Sequence, residues 1–281
     1  MLKFAKQHKT WTIIFASMLL FILVVYITAT DTRIQVTRYA VRSEELPEAF
    51  DGMTIMQLSD LHGQITDRLY DLILENKPSI FVLTGDTVDE DTEDYDGVCE
   101  LLQVISDGTP TFLITGNHEQ WLDNTDEVLQ MFADCGAKIM DGKSASLKLG
   151  DDRIYITGIA DPSFVDDELC QSTLLRQKKL TAQYDGFNIL LFHRADMFDS
   201  FLQRGYDLIL SGHMHGGQVR VPFVGGIISP KGSWMPKYSG GMYKLEDGSV
   251  GISNRGLANG GRIKRIYNRP EIVIIELQCA E

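Results

Sequence analysis

The sequence predicts an α/β domain with mixed sheets, carried behind one apolar N-terminal segment, and two observations predict it. Apolar runs of strand length alternate with longer amphipathic stretches along most of the chain, the pattern of largely buried strands joined by helices. Where the alternation breaks, at 145–159 and 218–254, GG and DG turns separate short β-rich runs and predict hairpins, so the sheets should be mixed.

The elements follow in order. From Thr10 to Thr30, "TWTIIFASMLLFILVVYITAT" holds no charged residue. At ~1.5 Å per residue it is roughly 30 Å long, one hydrocarbon core, and it reads as an uncleaved anchor rather than a signal peptide. Residues 1–9 are then a short tail and 31–48 a polar stalk ahead of a folded domain over 49–281. Lys3, Lys6 and Lys9 on one side balance Arg33, Arg38 and Arg42 on the other. The simpler topology leaves the tail inside and the domain outside the cytoplasm, as a single-pass protein of the cell membrane. "MTIMQLS" precedes a helix in "DRLYDLILENKP"; "SIFVLTG" precedes "YDGVCELLQVISDG"; "TFLITG" precedes "TDEVLQMFADCG". "FNILLF" precedes a helical "DMFDSFLQRG", and "YDLILSG" closes the series. The acidic run Asp86–Asp96 reads, past its first residue, as a solvated loop and helix start.

A formal charge of 26 − 39 = −13 argues against a nucleic-acid partner and against broad attraction to an anionic membrane surface. Cys99, Cys135, Cys170 and Cys279 lie far apart with no CxxC, so they form neither a zinc knuckle nor a dense disulfide framework. The sequence leaves their pairing, like the oligomeric state, open.

The strands end in residues that bind metal. "MQLSDLH" delivers Asp60 and His62, "VLTGDTVD" Asp86, "LITGNHE" Asn117, His118 and Glu119, "LLFH" His193, and "LILSGHMH" His213 and His215. Taken singly, each is an ordinary turn, cap or core histidine. Yet five of the six histidines fall at these strand ends, where α/β sheets open their ligand crevice. Carboxylate, imidazole and amide without thiolate suit two ions of Mn, Fe or Zn, and seven ligands are too many for one.

Asp-x-His (60–62), Gly-Asp-x-x-Asp (85–89), Gly-Asn-His-Glu (116–119), His193 and Gly-His-x-His (212–215) together resemble the calcineurin-like metallophosphoesterases over roughly residues 50–277. The closing "GHMHGGQVRVPFVGG" and "SNRGLANGGRIKRIYNRPEI" are similar to a membrane-associated bacterial branch that includes UDP-diacylglucosamine hydrolase-type phosphodiesterases. The resemblance implies a four-layer αββα sandwich. It implies Asp60, His62, Asp86 and His215 on one ion, and Asp86, Asn117, His193 and His213 on the other. It implies a hydroxide between the ions as nucleophile, His118 assisting the leaving group and Glu119 orienting His118. The expected activity is hydrolysis of phosphodiester or pyrophosphate bonds, on a phosphate-ester substrate that could be lipid-linked. The alternatives are a phosphomonoesterase or protein phosphatase, and a non-catalytic, metal-stabilised surface binding module. Phe223, Ile227, Ile228, Trp234 and Met235 form either a flap over the core or an apolar lip beside the site. Arg262, Lys264, Arg265 and Arg269 are either solvating charges or the holders of a second phosphate.

Overall fold

The computed structural model describes residues 2–93, 95–163, 181–230, 232–259 and 263–280 of the chain. Two six-stranded sheets form its centre. The first has the order β1 (Gln35–Ser43), β14 (Glu271–Cys279), β2 (Thr54–Leu58), β3 (Ile80–Thr84), β4 (Thr111–Ile114), β5 (Lys138–Ile139). The second has the order β12 (Gly241–Lys244), β13 (Val250–Ser253), β9 (Leu208–Gly212), β8 (Asn188–Arg194), β7 (Asp152–Ile159), β6 (Ser144–Leu149). Both are mixed: β2, β3, β4 and β5 run parallel with β14 antiparallel to β2, and β7, β8, β9 and β13 run parallel between antiparallel β6 and β12.

Period-2 alternation decides the layers. In β3, Ile80 and Val82 face the second sheet while Phe81 and Leu83 face the helices. In β8, Ile189 and Leu191 meet the first sheet while Leu190 and Phe192 point outward. The helices α2 (Asp67–Glu75), α3 (Tyr95–Ser106) and α5 (Thr125–Asp134) cover the outer face of the first sheet through Leu69, Leu72, Val98, Leu101, Val128 and Phe132. A disulfide joins Cys99 in α3 to Cys135 at the end of α5. Among the described residues the second sheet is covered by a 3₁₀ segment, Ala195–Phe201, which packs Phe198 and Phe201 inward where an α-helix was expected over 196–205. Phe198 and Phe201, three residues apart, share one face in a 3₁₀ turn as they would in an α-helix. The two expected hairpin regions are present as β6–β7, β12–β13 and the small pair β10 (Arg220–Val221) and β11 (Gly225–Gly226).

The N-terminal region departs from expectation twice. Helix α1 runs from Leu2 to Ala29 with apolar side chains such as Phe15, Leu20, Phe21 and Tyr26 exposed. Among the described residues no helix is long and apolar enough to cross a membrane, so the structure does not confirm a span over 10–30. Residues 31–48 are not a stalk. Thr37, Tyr39 and Val41 alternate with exposed Arg38, Ala40 and Arg42, and this makes β1 an edge strand paired in parallel with β14 along its whole length. Its arginines are the charged outer face of an edge rather than the polarity of a tether. The few residues left between helix and sheet are pinned. Tyr267 donates its N–H to the Ala29 carbonyl at 2.8 Å, Asp31 accepts from the Arg33 guanidinium at 2.8 and 2.9 Å, and Arg269 Nε donates to the Arg33 carbonyl at 2.7 Å.

Candidate metal centre and active site

Every expected ligand sits at or just past the carboxyl end of a central parallel strand, on three strands of the first sheet and two of the second. Asp60 and His62 follow β2, Asp86 follows β3, and Asn117 opens the short helix α4 (Asn117–Trp121) after β4. His193 is the penultimate residue of β8, and His213 and His215 follow β9. The sheets are stitched together at this edge. Gln57 Nε2 donates to the Ser211 carbonyl at 2.9 Å and to Thr84 Oγ1 at 3.0 Å, and the His213 N–H donates to Asp60 Oδ1 at 3.1 Å.

The backbone there is in an uncommon state. Asp60, His62, Asp86, His213 and His215 all have positive φ, between 44° and 69°, in the left-handed region that non-glycine residues rarely adopt. Strain of that kind persists only where the surrounding structure over-determines it, and here it falls on five of seven expected ligands. Two glycines let the strand ends close: a Cβ on Gly85, at φ +91°, would stand 2.5 Å from the Gly116 nitrogen and 2.7 Å from His193 Nδ1, and one on Gly212 would overlap Ser59 and Asp60.

The side chains converge in two groups that share Asp86. Asp60, His62, Asp86 and His215 present ligand atoms within 4.8 Å of one another, and so do Asp86, His193 and His213. Asp86 Oδ2 lies 3.0 Å from His193 Nε2 and 3.9 Å from His62 Nε2, and His215 Nε2 is 3.3 Å from Asp60 Oδ1. His193 Nδ1–H donates to the Thr84 carbonyl at 2.7 Å, which turns Nε2 toward Asp86. Among the described residues, three buried atoms of the set, His62 Nε2, His215 Nδ1 and Asn117 Oδ1, have no hydrogen-bond partner. Buried polar atoms are ordinarily satisfied, so these orphans, with a donor set of carboxylates, imidazoles and an amide, suit a pair of divalent ions.

The electrostatics agree. Burial alone would push His62 and His193 down, but the Asp89 hydrogen bond and the Asp86 and Asp60 charges hold His62 at about 9, and Asp86 and Asp60 hold His193 at about 10. Asp86 is held well below the carboxylate range against burial by His193, His62 and His118. His215 is pushed down to about 4 by burial. The carboxylates therefore demand positive charge, and metal ions binding here displace protons.

One expected role is corrected. Glu119 does not orient His118. It is fully buried and accepts four backbone N–H bonds, from Asp86 at 2.9 Å, Thr87 at 2.5 Å, Val88 at 3.1 Å and Gly116 at 2.8 Å, so it holds the Asp86 loop against α4. Burial, followed by the Asp86 charge, raises it to about 7. His118 takes Glu90 instead, Nδ1 to Oε2 at 2.7 Å, and its ring meets those of His62 and Trp121 at 4.8 Å. Asp89 likewise holds His62 Nδ1 at 2.9 Å. Both acids lie in the run expected as a solvated loop. The Gly-Asp-x-x-Asp spacing marked Asp89; nothing in the sequence marked Glu90.

The basic residues near the C-terminus separate. Arg262 lies outside the described residues, Lys264 is exposed, and Arg269 belongs to the helix junction. Arg265 is buried, with Nε on the Ala258 carbonyl at 2.8 Å and Nη2 on the Gly256 carbonyl at 3.2 Å.

Comparison with known proteins points the same way as the geometry. Residues 53–217 match the family model described as calcineurin-like phosphoesterase. The chain is 31% identical over 254 residues to the uncharacterized metallophosphoesterase YkuE of Bacillus subtilis, covering 87% of this chain and 86% of that one. It is 24% identical to the phosphodiesterase YaeI of Escherichia coli, over 79% of this chain and 81% of that one. It is also 24% identical to a Danio rerio transmembrane protein with metallophosphoesterase domain, over 84% of this chain and 56% of that longer one.

Proposed function

The chain belongs to the calcineurin-like phosphoesterase family, and from that premise we propose that this metal-dependent phosphoesterase hydrolyses phosphodiester or pyrophosphate bonds while held at a membrane by α1. The observation that carries the dinuclear reading is Asp86, common to two ligand groups, beside the unpartnered His62 Nε2, His215 Nδ1 and Asn117 Oδ1. Mn, Fe or Zn bound by these residues would supply Lewis acidity at phosphorus and a water of lowered pKa.

The chain's own groups do the rest. Asp60, His62, Asp86 and His215 hold one side of the site, and Asp86, Asn117, His193 and His213 the other. Glu90 accepts from His118 Nδ1–H and fixes the ring, which leaves Nε2 to give a proton to the departing oxygen. Glu119 keeps the Asp86 and Asn117 loops in register through its four amide contacts.

Three facts support the setting. The apolar side chains of α1 stand exposed, one relative's name describes a transmembrane protein, and the Cys99–Cys135 disulfide suits an oxidising compartment, hence a domain outside the cytoplasm. The diester preference finds support in the YaeI name, and a lipid-linked substrate in the membrane setting. The test is hydrolysis of a chromogenic diester against the matching monoester, by metal-stripped protein reloaded with Mn²⁺. Faster diester turnover, lost with Asp86→Ala, is expected. Monoester preference would move the reading to a phosphomonoesterase, and metal uptake with no turnover to a binding module.

A further inference from the structure

We propose that the β10–β11 hairpin and the cavity beneath it seat the phosphate headgroup of an anionic lipid, so that the catalytic domain rests on the bilayer through this face. The inference depends on the membrane tethering proposed above and adds to it a contact site.

The hairpin presents an unusual surface. Phe223 at its tip is fully exposed at φ +69°, with Val221 and Val224 exposed on either side. Ile228 pairs with Trp234, which brings Trp234 (70% exposed) and Met235 beside it. Contiguous apolar groups of this kind mark a contact surface, and tryptophan is favoured at the depth of lipid headgroups.

Beneath the hairpin lies a cavity of about 570 Å³ whose wall includes Arg220, Val221, Phe223, Met235, Lys237 and Tyr267. Arg220 is half-buried, and its Nη1 donates to the Gly216 carbonyl at 2.8 Å. Among the described residues it forms no salt bridge, and the nearby Glu271 carboxylate is paired with Arg255 at 2.7 Å. A guanidinium without a counter-ion under an apolar lip suits a phosphate that arrives with acyl chains attached.

Position identifies the source of that phosphate. Tyr267, in the cavity wall, donates its N–H to the last carbonyl of α1, and its neighbour Ile266 pairs with Val219 at the base of the hairpin. The apolar helix therefore leaves the domain from the same face as the lip. A net charge of −13 repels an anionic leaflet as a whole, so recognition there has to be local, through apolar insertion and one cation. Gly216 follows His215, so the seat borders the metal site and would present it to molecules in the same leaflet.

The test is amide hydrogen exchange on the full chain in nanodiscs of phosphatidylcholine, with and without phosphatidylglycerol. Exchange over 219–229 should slow about tenfold in the mixed discs relative to detergent, reporting local opening suppressed by the lipid. Arg220→Gln should lose the increment due to phosphatidylglycerol, and Phe223→Ser, at a fully exposed position, should lose the protection in both discs. Unchanged exchange in β8 would show each variant folded. A chain retained on the discs with an unprotected hairpin would overturn the seat and leave the tether standing; a chain not retained at all would overturn both. Equal protection by glycerol 3-phosphate without a bilayer would overturn the lipid assignment. So would protection that follows protein concentration, which would point to a second copy.

Discussion

Asp161→Ala should be among the most damaging single substitutions outside the ligands. Asp161 follows β7 and faces Arg194, the residue after His193, in a two-pronged pair with Nε to Oδ2 at 2.7 Å and Nη2 to Oδ1 at 2.9 Å. The side chains are 1% and 0% exposed, so water screens nothing. Removing one member strands a charge in the interior, and measured cases of that kind cost about 3–5 kcal/mol. For a domain of this size a urea slope of about 3 kcal/mol per molar converts the loss into a midpoint lowered by roughly 1–1.7 M. Tryptophan fluorescence during a urea titration of the full chain in detergent reads it directly. Asp161→Leu with Arg194→Met should recover most of the loss, since apolar replacement of a buried pair is often neutral. Because Arg194 adjoins His193, the single variant should also weaken metal retention at the Asp86–His193–His213 group. A midpoint shift below roughly 0.3 M, or a double variant as unstable as the single one, would refute the view that this pair is dry and paired at need.

Asp86→Ala should remove both ions and His193→Ala mainly one, read by elemental analysis after gel filtration; one tightly held ion in the parent protein would end the dinuclear reading. Glu90→Ala should slow turnover about tenfold or more with poor leaving groups and little with good ones, while Glu119→Gln should lower stability by about 1–3 kcal/mol by setting a donor against amide donors. An equal kinetic effect of both would restore Glu119 as the partner of His118. Cys99→Ser opens a loop with a sequence separation of 36, and chain entropy puts the loss near 4 kcal/mol, checked by melting under oxidising and reducing conditions. Burial raises Asp207 from 3.8 to about 6, so its ionisation is harder in the folded chain. Stability should therefore fall from about pH 4 to 6 and level off above, and Asp207→Asn should gain on the parent across that window. A stability difference that is the same at pH 4 and pH 7 would contradict the assignment.

The layers and the ligands were legible for the same reason. Ile80, Phe81, Val82 and Leu83 carry their burial as an unbroken apolar run, and Asp60, Asp86, Asn117, His193 and His213 stand where strands stop, a position the local pattern records. What escaped depends on contacts between distant segments. Glu90 becomes the partner of His118 only after the β3 and β4 loops meet, and in the sequence it is one acid in an acidic run. Residues 31–48 show the converse: period-2 alternation was present over Thr37–Val41, but the segment was read as a polar stalk and its arginines as charges flanking the apolar run, and pairing with a strand some 230 residues later has no local trace. The 3₁₀ segment at Ala195–Phe201 was misread because its two phenylalanines fit a helical period as well as the turn that buries them.

The five candidate ligands at positive φ set function against durability. Each left-handed non-glycine residue costs on the order of 1 kcal/mol or more, so together they withhold roughly 5 kcal/mol, a sum comparable to the whole net stability of many domains. Glycine at any of these positions would relax the backbone and abolish a ligand in the same step. The metal-free fold would then be tougher for having lost its chemistry. Selection for folding alone would erode this site, and only a demand for its reaction can keep aspartate and histidine where glycine is the easier residue.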